Sequence, residues 1–255
     1  MRKEVLFMNY DIDQIVAELD NIDGFSEEDL NDEQSGYVWD EICEKTCYND
    51  SNASYGSGAS KFVIIPKDTD YVIKIPFATL DTEDSYYNAE THEWNYGDPE
   101  PLQYEYCFKE LENYNSAKVC YSGAEIFLAK TERVYTGKTI NGYVQEKVTD
   151  CYDWCHAHEI KDLGWDWEAL SVVKNSYKSY NADSSIDQVV RQYDDIPAVW
   201  WNQLYKYATE NDKMEEVEQF FDFLIDTEIN DLCARNIGFI GDKPVLMDYA
   251  GWYEY

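Results

Sequence analysis

Ile229-Asn230-Asp231-Leu232-Cys233-Ala234-Arg235-Asn236-Ile237-Gly238-Phe239-Ile240 runs through Gly241-Asp242 into Lys243-Pro244-Val245-Leu246-Met247-Asp248-Tyr249-Ala250-Gly251. The order reads as a buried helix entering an Asp-x-x-x-x-Asn loop, then a short hairpin, then an Asp-x-x-Gly turn. Gly241-Asp242 has the residue types of a tight hairpin turn. One carboxylate, one amide oxygen and a second carboxylate therefore fall on neighbouring loops, and oxygen donors of that kind suit Mg²⁺ carrying nucleotide phosphates. Asp-x-x-x-x-Asn also arises by chance, since either residue serves equally as a helix cap or a turn. The weight lies in the flanking order of elements rather than in the motif alone.

Upstream, Asn49 to Ser60 is rich in Asn, Ser and Gly and reads as a turn. Phe62-Val63-Ile64-Ile65 and Tyr71-Val72-Ile73-Lys74-Ile75 are β-rich runs joined by Pro66 to Asp70, the pattern of a hairpin. Gly56-Ser57-Gly58-Ala59-Ser60-Lys61-Phe62-Val63 fits Gly-x-Gly-x-x-Gly-x-Val except that Lys61 takes the third glycine position. Glycine lets backbone amides approach a phosphate closely. Lys61 therefore either crowds that turn or adds positive charge toward a phosphate. Lys74 has two readings as well: a functional lysine on a strand, or one that simply points to water from an edge strand.

Ala78 to Pro101 is polar and acidic and reads as a loop or insertion. A helix is expected from Leu102 to about Tyr121, with Phe108, Leu111, Tyr114 and Ala117 along one side. Glu110 lies beside that face, and Glu105 is the alternative on the same helix. An ordinary solvated glutamate is the plain reading of either. Strands are expected over Ile126 to Tyr135 and Gly142 to Val148. Ile12, Ile15, Val16 and Leu19 recur at helical spacing near the N-terminus, and Tyr37, Val38, Ile42 and Cys43 suggest a second helix. After Thr149 the chain reads as helical and Trp-rich, with helices from Pro197 and over Met214 to Ile225. Gly164 to Asp195 has no legible pattern.

Taken together, these segments resemble the protein-kinase-like superfamily, including its small bacterial and phage members. The resemblance covers roughly residues 52 to 251: a Gly-rich hairpin, a strand lysine, a helix glutamate, a strand leading to a hinge, an Asp-x-x-x-x-Asn loop and an Asp-x-x-Gly turn. It implies an α+β, two-lobed fold with an antiparallel-sheet N-lobe and a reduced helical C-lobe. The corresponding segments are a helical extension over 1–50, an N-lobe over 51–148 and a C-lobe over 149–255. It also implies ATP and Mg²⁺ as cofactors. Lys74 would contact the α- and β-phosphates and pair with Glu110, and Asp231 would be the catalytic base. Asn236 and Asp248 would hold the metal. Gly56, Gly58 and Lys61 would lie along the phosphates, and the backbone from Glu146 to Val148 would meet adenine.

Three departures limit what the resemblance carries. Ile229-Asn230 replaces the His-Arg that precedes the catalytic Asp. Cys233 stands where protein kinases keep a lysine that steadies the transferred phosphoryl group. Four residues follow Gly251, so no activation segment is expected, and a conventional Ser/Thr kinase is not the reading.

Lys plus Arg number 20 against 52 Asp plus Glu, a net charge of −32. Such a surface repels nucleic-acid backbone and anionic lipid, so binding to neither is expected. With four arginines the chain is poorly equipped to hold nucleic acid. The bland reading of the charge is a well-solvated surface. The functional alternatives are a pseudokinase-like protein that binds a basic protein partner, or an acidic nucleic-acid mimic. No run of about 18 apolar residues is present, so no membrane span is expected. Val5 to Met8 is too short for an export core, and the scattered cysteines fit reduced thiols, so a cytoplasmic protein is expected. Cys151-x-x-x-Cys155-His156-x-His158 contains zinc-type ligands, but a helix with two buried thiols is the simpler reading.

Overall fold

Alternating apolar positions build an antiparallel sheet from β1 (Ala53–Ser57), β2 (Lys61–Pro66), β3 (Tyr71–Pro76), β6 (Thr131–Thr136) and β7 (Asn141–Glu146). The strand order is β1-β2-β3-β7-β6, which makes β3 the central strand. These positions come from a computed structural model that describes residues 11–24, 35–57, 61–76, 86–88, 93–95, 108–160, 167–168, 196–229 and 232–250. The chain is mixed α and β. It divides into a first unit, Met1–Phe108 with Thr131–Glu146, and a second, Lys109–Lys130 with Lys147–Tyr255.

One face of the first unit's sheet is apolar. Phe62, Ile64, Ile73, Ile75 and Val144 bury there together with Ile15, Leu19 and Ile22 of α1 (Ile12–Ile22) and Val38, Trp39 and Ile42 of α2 (Ser35–Lys45). The two N-terminal helices thus share the sheet's own core. Asp11 caps α1 by accepting the Gln14 N–H at 3.1 Å. At the other end Asp23 receives the turn between β6 and β7. Its carboxylate accepts the N–H groups of Lys138, Thr139 and Ile140 at 2.9, 2.8 and 3.2 Å and the Thr139 hydroxyl at 2.7 Å. The Tyr135 hydroxyl lies 2.9 Å from Asp23 and 2.8 Å from Asp20.

The second unit packs around Trp200, Phe220, Phe223, Phe127 and Phe239, all fully buried. Its described helices are α3 (Lys109–Cys120), α4 (Cys151–Ala157), α5 (Ile196–Asn211) and α6 (Met214–Asp226), with a 3₁₀ turn at Ala124–Phe127. A small sheet joins β8 (Thr149–Asp150), β11 (Ile237–Ile240) and β12 (Lys243–Leu246), with β11 in the middle. Gly238 on β11 is a close approach. A methyl group there would collide with the Thr149 carbonyl oxygen and stand 2.6 Å from Val148 Cγ1. β9 (Trp167–Glu168) pairs with β10 (Leu232–Cys233).

Several expected boundaries change. Within Asn49 to Ser60, Ala53–Ser57 is a strand rather than part of the turn. Tyr55 stacks between Trp39 and Phe62, at 5.2 and 5.4 Å, and so gives an otherwise polar strand an aromatic anchor. The loop expected over Ala78 to Pro101 contains a hairpin of β4 (Tyr86–Asn88) and β5 (Glu93–Asn95). Helix α3 begins at Lys109, and the expected Leu102 to Cys107 portion lies outside the described residues. The strand expected from Ile126 begins at Thr131. Ala124 and Phe127, three apart and both fully buried, suit the tighter 3₁₀ turn instead. Tyr37, expected on the packed face of α2, is 55% exposed. Among the described residues, no helix is long and apolar enough to cross a membrane.

Candidate functional site

β11 and β12 form the hairpin read from the sequence, and Gly241 occupies its turn at φ +61°. The hairpin brings its two flanking loops together. The Asn236 carbonyl accepts the N–H of Met247 at 2.8 Å and, more weakly, that of Asp248 at 3.3 Å, while the Asn236 N–H donates to the Cys233 carbonyl at 2.9 Å. Both Asn236 and Asp248 are half-buried. An amide oxygen and a carboxylate, both hard oxygen donors, are thereby fixed on adjoining backbone.

The loop beyond Asp248 is held as firmly. Tyr249 is fully buried, and its hydroxyl donates to the Ala129 carbonyl at 2.6 Å. The Ala129 N–H in turn donates to the Leu246 carbonyl at 2.9 Å, beside a parallel bridge between Leu128 and Leu246. The Asn113 side-chain amide, on α3, donates to the Tyr249 carbonyl at 2.6 Å. Glu110 lies one turn earlier on that helix and is fully buried, so the reading of a solvated glutamate does not hold.

In the first unit the face of the sheet turned away from α1 and α2 is polar. Its central row, from β1 to β6, is Gly56, Val63, Lys74, Tyr143 and Arg133. Lys61 stands opposite Pro76, one row along on the same face. Among the described residues, all the buried polar side chains of this unit lie here: Lys61, Lys74, Thr131, Asn141 and Gln145. Lys61 is 6% exposed and Lys74 is 7% exposed. Lys74 sits on the central strand, which removes the reading of an edge lysine pointing to water. The Gln145 amide donates to the Thr131 hydroxyl at 2.9 Å, and Phe108 covers the Arg133 end of the row, with the guanidinium 4.6 Å from its ring centre.

The remaining expected residues are distributed as follows. Gly56 pairs opposite Val63, and a side chain added there would meet only Ile65 at 3.9 Å, so the fold alone does not require glycine. Glu146 ends β7 and Val148 leads into β8, both half-buried. Asp231, Gly58 and Glu105 lie outside the described residues. Cys233 is buried on β10. Cys151 and Cys155 are buried on α4, as a structural helix would have them, and burial pushes the Cys151 thiol up. Among the described residues no group of three His, Cys, Asp or Glu side chains gathers as a metal site. Sequence reading passed over Asn113. Its signal was present in the spacing, three residues after Glu110 and four before Ala117, which puts a polar side chain on a packed helix face.

Comparison with protein-family models, with curated proteins and with solved structures gives no match for this chain.

Proposed function

We propose that the protein is a two-lobed, kinase-like nucleotide-binding protein that holds ATP with Mg²⁺ and directs a phosphoryl group to a hydroxyl of its substrate. The observation that carries this reading is the backbone clamp that joins Asn236 to Asp248, two residues whose side chains carry oxygen donors of the kind Mg²⁺ prefers. Support comes from the two lysines buried on one sheet face, cations of the kind that bind phosphate. Further support is the order along the chain: Lys74 on a central strand, a buried Glu110 on the next long helix, then the Asn236 and Asp248 loops.

In this reading Lys74 donates to phosphate oxygens, and Lys61 adds a second cation along the same face. Asn236 and Asp248 orient the metal, which neutralises phosphate charge when bound. Asp231 accepts the proton of the attacking hydroxyl. The test is a thermal-shift titration of ATP with and without Mg²⁺, on the wild type and on Asp248→Ala. Ligand at about 100 times its dissociation constant stabilises by about 2.7 kcal/mol. A Mg²⁺-dependent rise in the wild type that the variant lacks is the expected result; no rise in either removes the reading.

A second reading rests on the net charge of −32. It keeps the fold as a binding platform for a basic protein partner, with association that weakens as salt screens the charge. Absence of ATP turnover together with salt-sensitive capture of a basic protein favours it.

A further inference from the structure

We infer that Asn113 is a positioning residue that sets the Asp248 carboxylate from helix α3; the inference rests on the nucleotide reading only for what Asp248 ligates. Asn113 is 4% exposed, and its amide reaches 136 positions along the chain to the Tyr249 carbonyl at 2.6 Å. The same nitrogen lies 3.5 Å from the Ala250 carbonyl, so it faces the backbone just beyond Asp248. An amide is suited to this place because it donates two hydrogens from one planar group. Aspartate at that position has the same shape but no hydrogen to donate, and its charge would oppose the carbonyl.

Asp248 is thus gripped on both sides. Its N–H is directed to the Asn236 carbonyl, and the residue after it is held at its carbonyl by Asn113 and at its hydroxyl end by Ala129. Removing the grip from α3 leaves the hairpin intact but frees the turn that carries the carboxylate. Positioning of a ligand to within about half an ångström depends on such supporting bonds. α3 also carries Glu110, so one helix presents a buried carboxylate and steadies the loop bearing another.

The experiment uses the full chain carrying Asn113→Asp, with Asn113→Leu as a second variant should the charge prevent folding. Amide hydrogen exchange at Met247 and Asp248 is compared with exchange at Ile240 and Val245 in the adjoining hairpin. The expected result is exchange about tenfold faster at Met247 and Asp248 with the hairpin amides unchanged. Unchanged exchange at those two residues overturns the inference, and so does an equal rise across the second unit, which would make Asn113 an ordinary core residue. A second readout is the Mg²⁺ concentration giving half of the ATP-induced stabilisation. It should rise about tenfold in the variant, while stabilisation by ATP without Mg²⁺ stays as it is. A wild type that does not respond to Mg²⁺ and ATP overturns the nucleotide reading, and the exchange pattern then decides the role of Asn113 by itself.

Discussion

Asn236 and Asp248, twelve positions apart in sequence, are joined through one backbone carbonyl: Asn236 accepts the amides of both Met247 and Asp248. The join uses main chain only, so it survives replacement of either side chain. Asn236→Ala and Asp248→Ala should therefore leave the β11–β12 hairpin formed, at a cost in ligand-free stability of about 0.5–3 kcal/mol, the ordinary range for a single substitution. Both should reduce Mg²⁺-dependent stabilisation by ATP, Asp248→Ala more strongly because it removes a charge. Chemical denaturation and thermal shift on the same samples separate the two effects.

Lys74 and Lys61 offer a direct comparison. Methionine keeps the aliphatic stem that packs in the sheet and removes the ammonium. Charge-assisted hydrogen bonds are worth about 1.5–3 kcal/mol, so Lys74→Met should weaken ATP binding at least tenfold. Lys61→Met decides between the two readings of that residue. Weakened ATP binding places it on the phosphates, whereas unchanged binding leaves it as a buried side chain that merely occupies the glycine position.

Asp23 makes the first unit acid-sensitive. Burial pushes its carboxyl up, but hydrogen bonds from the Lys138 N–H, the Thr139 hydroxyl and N–H, and Tyr135 outweigh that effect and hold it well below the ordinary value of 3.8. A depressed folded-state value contributes stability above the unfolded value and loses it as pH falls toward the folded one. The loss should therefore set in as pH drops below about 4. Asp23→Asn should cost about 1 kcal/mol at neutral pH and flatten this part of the acid unfolding profile. The half-exposed site keeps the figure modest.

Gly238→Ala should destabilise the second unit by about 1–3 kcal/mol, since β8 and β11 must separate to admit the methyl group. The Trp200 indole N–H donates to the Gly238 carbonyl at 3.0 Å, so tryptophan fluorescence reports the disturbance. A variant as stable as wild type would contradict the close approach.

The legible parts of the sequence were those governed by a single local period. The β2–β3 hairpin, the β11–β12 hairpin with its Gly241 turn, and helices α5 and α6 follow from alternation, turn chemistry and helical spacing. β1 was hidden because its residues are polar and small, and its strand character comes from Tyr55 lying between two distant rings. The burial of Lys74 was equally hidden, because strand order is a long-range property: nothing local reveals that β7 pairs with β3 and moves that strand inward. The nearness of Asn236 and Asp248 follows from the legible hairpin, whereas the carbonyl that joins them and the Asn113 bond to Tyr249 needed the fold.

The interleaving of the two units has a consequence for synthesis on the ribosome. The chain passes between units after Phe108, Lys130 and Glu146, and β7, which separates β3 from β6, is the last strand of its sheet to be made. Until Glu146 has left the exit tunnel, the nascent chain holds a three-strand meander with its central pairing unmade, while α3 already belongs to a unit whose remaining helices are untranslated. The first unit has all its residues once Glu146 emerges, whereas the second, with α3 already made, must wait for the rest of the chain. A single backbone cut within residues 109–130 would therefore divide both units at once.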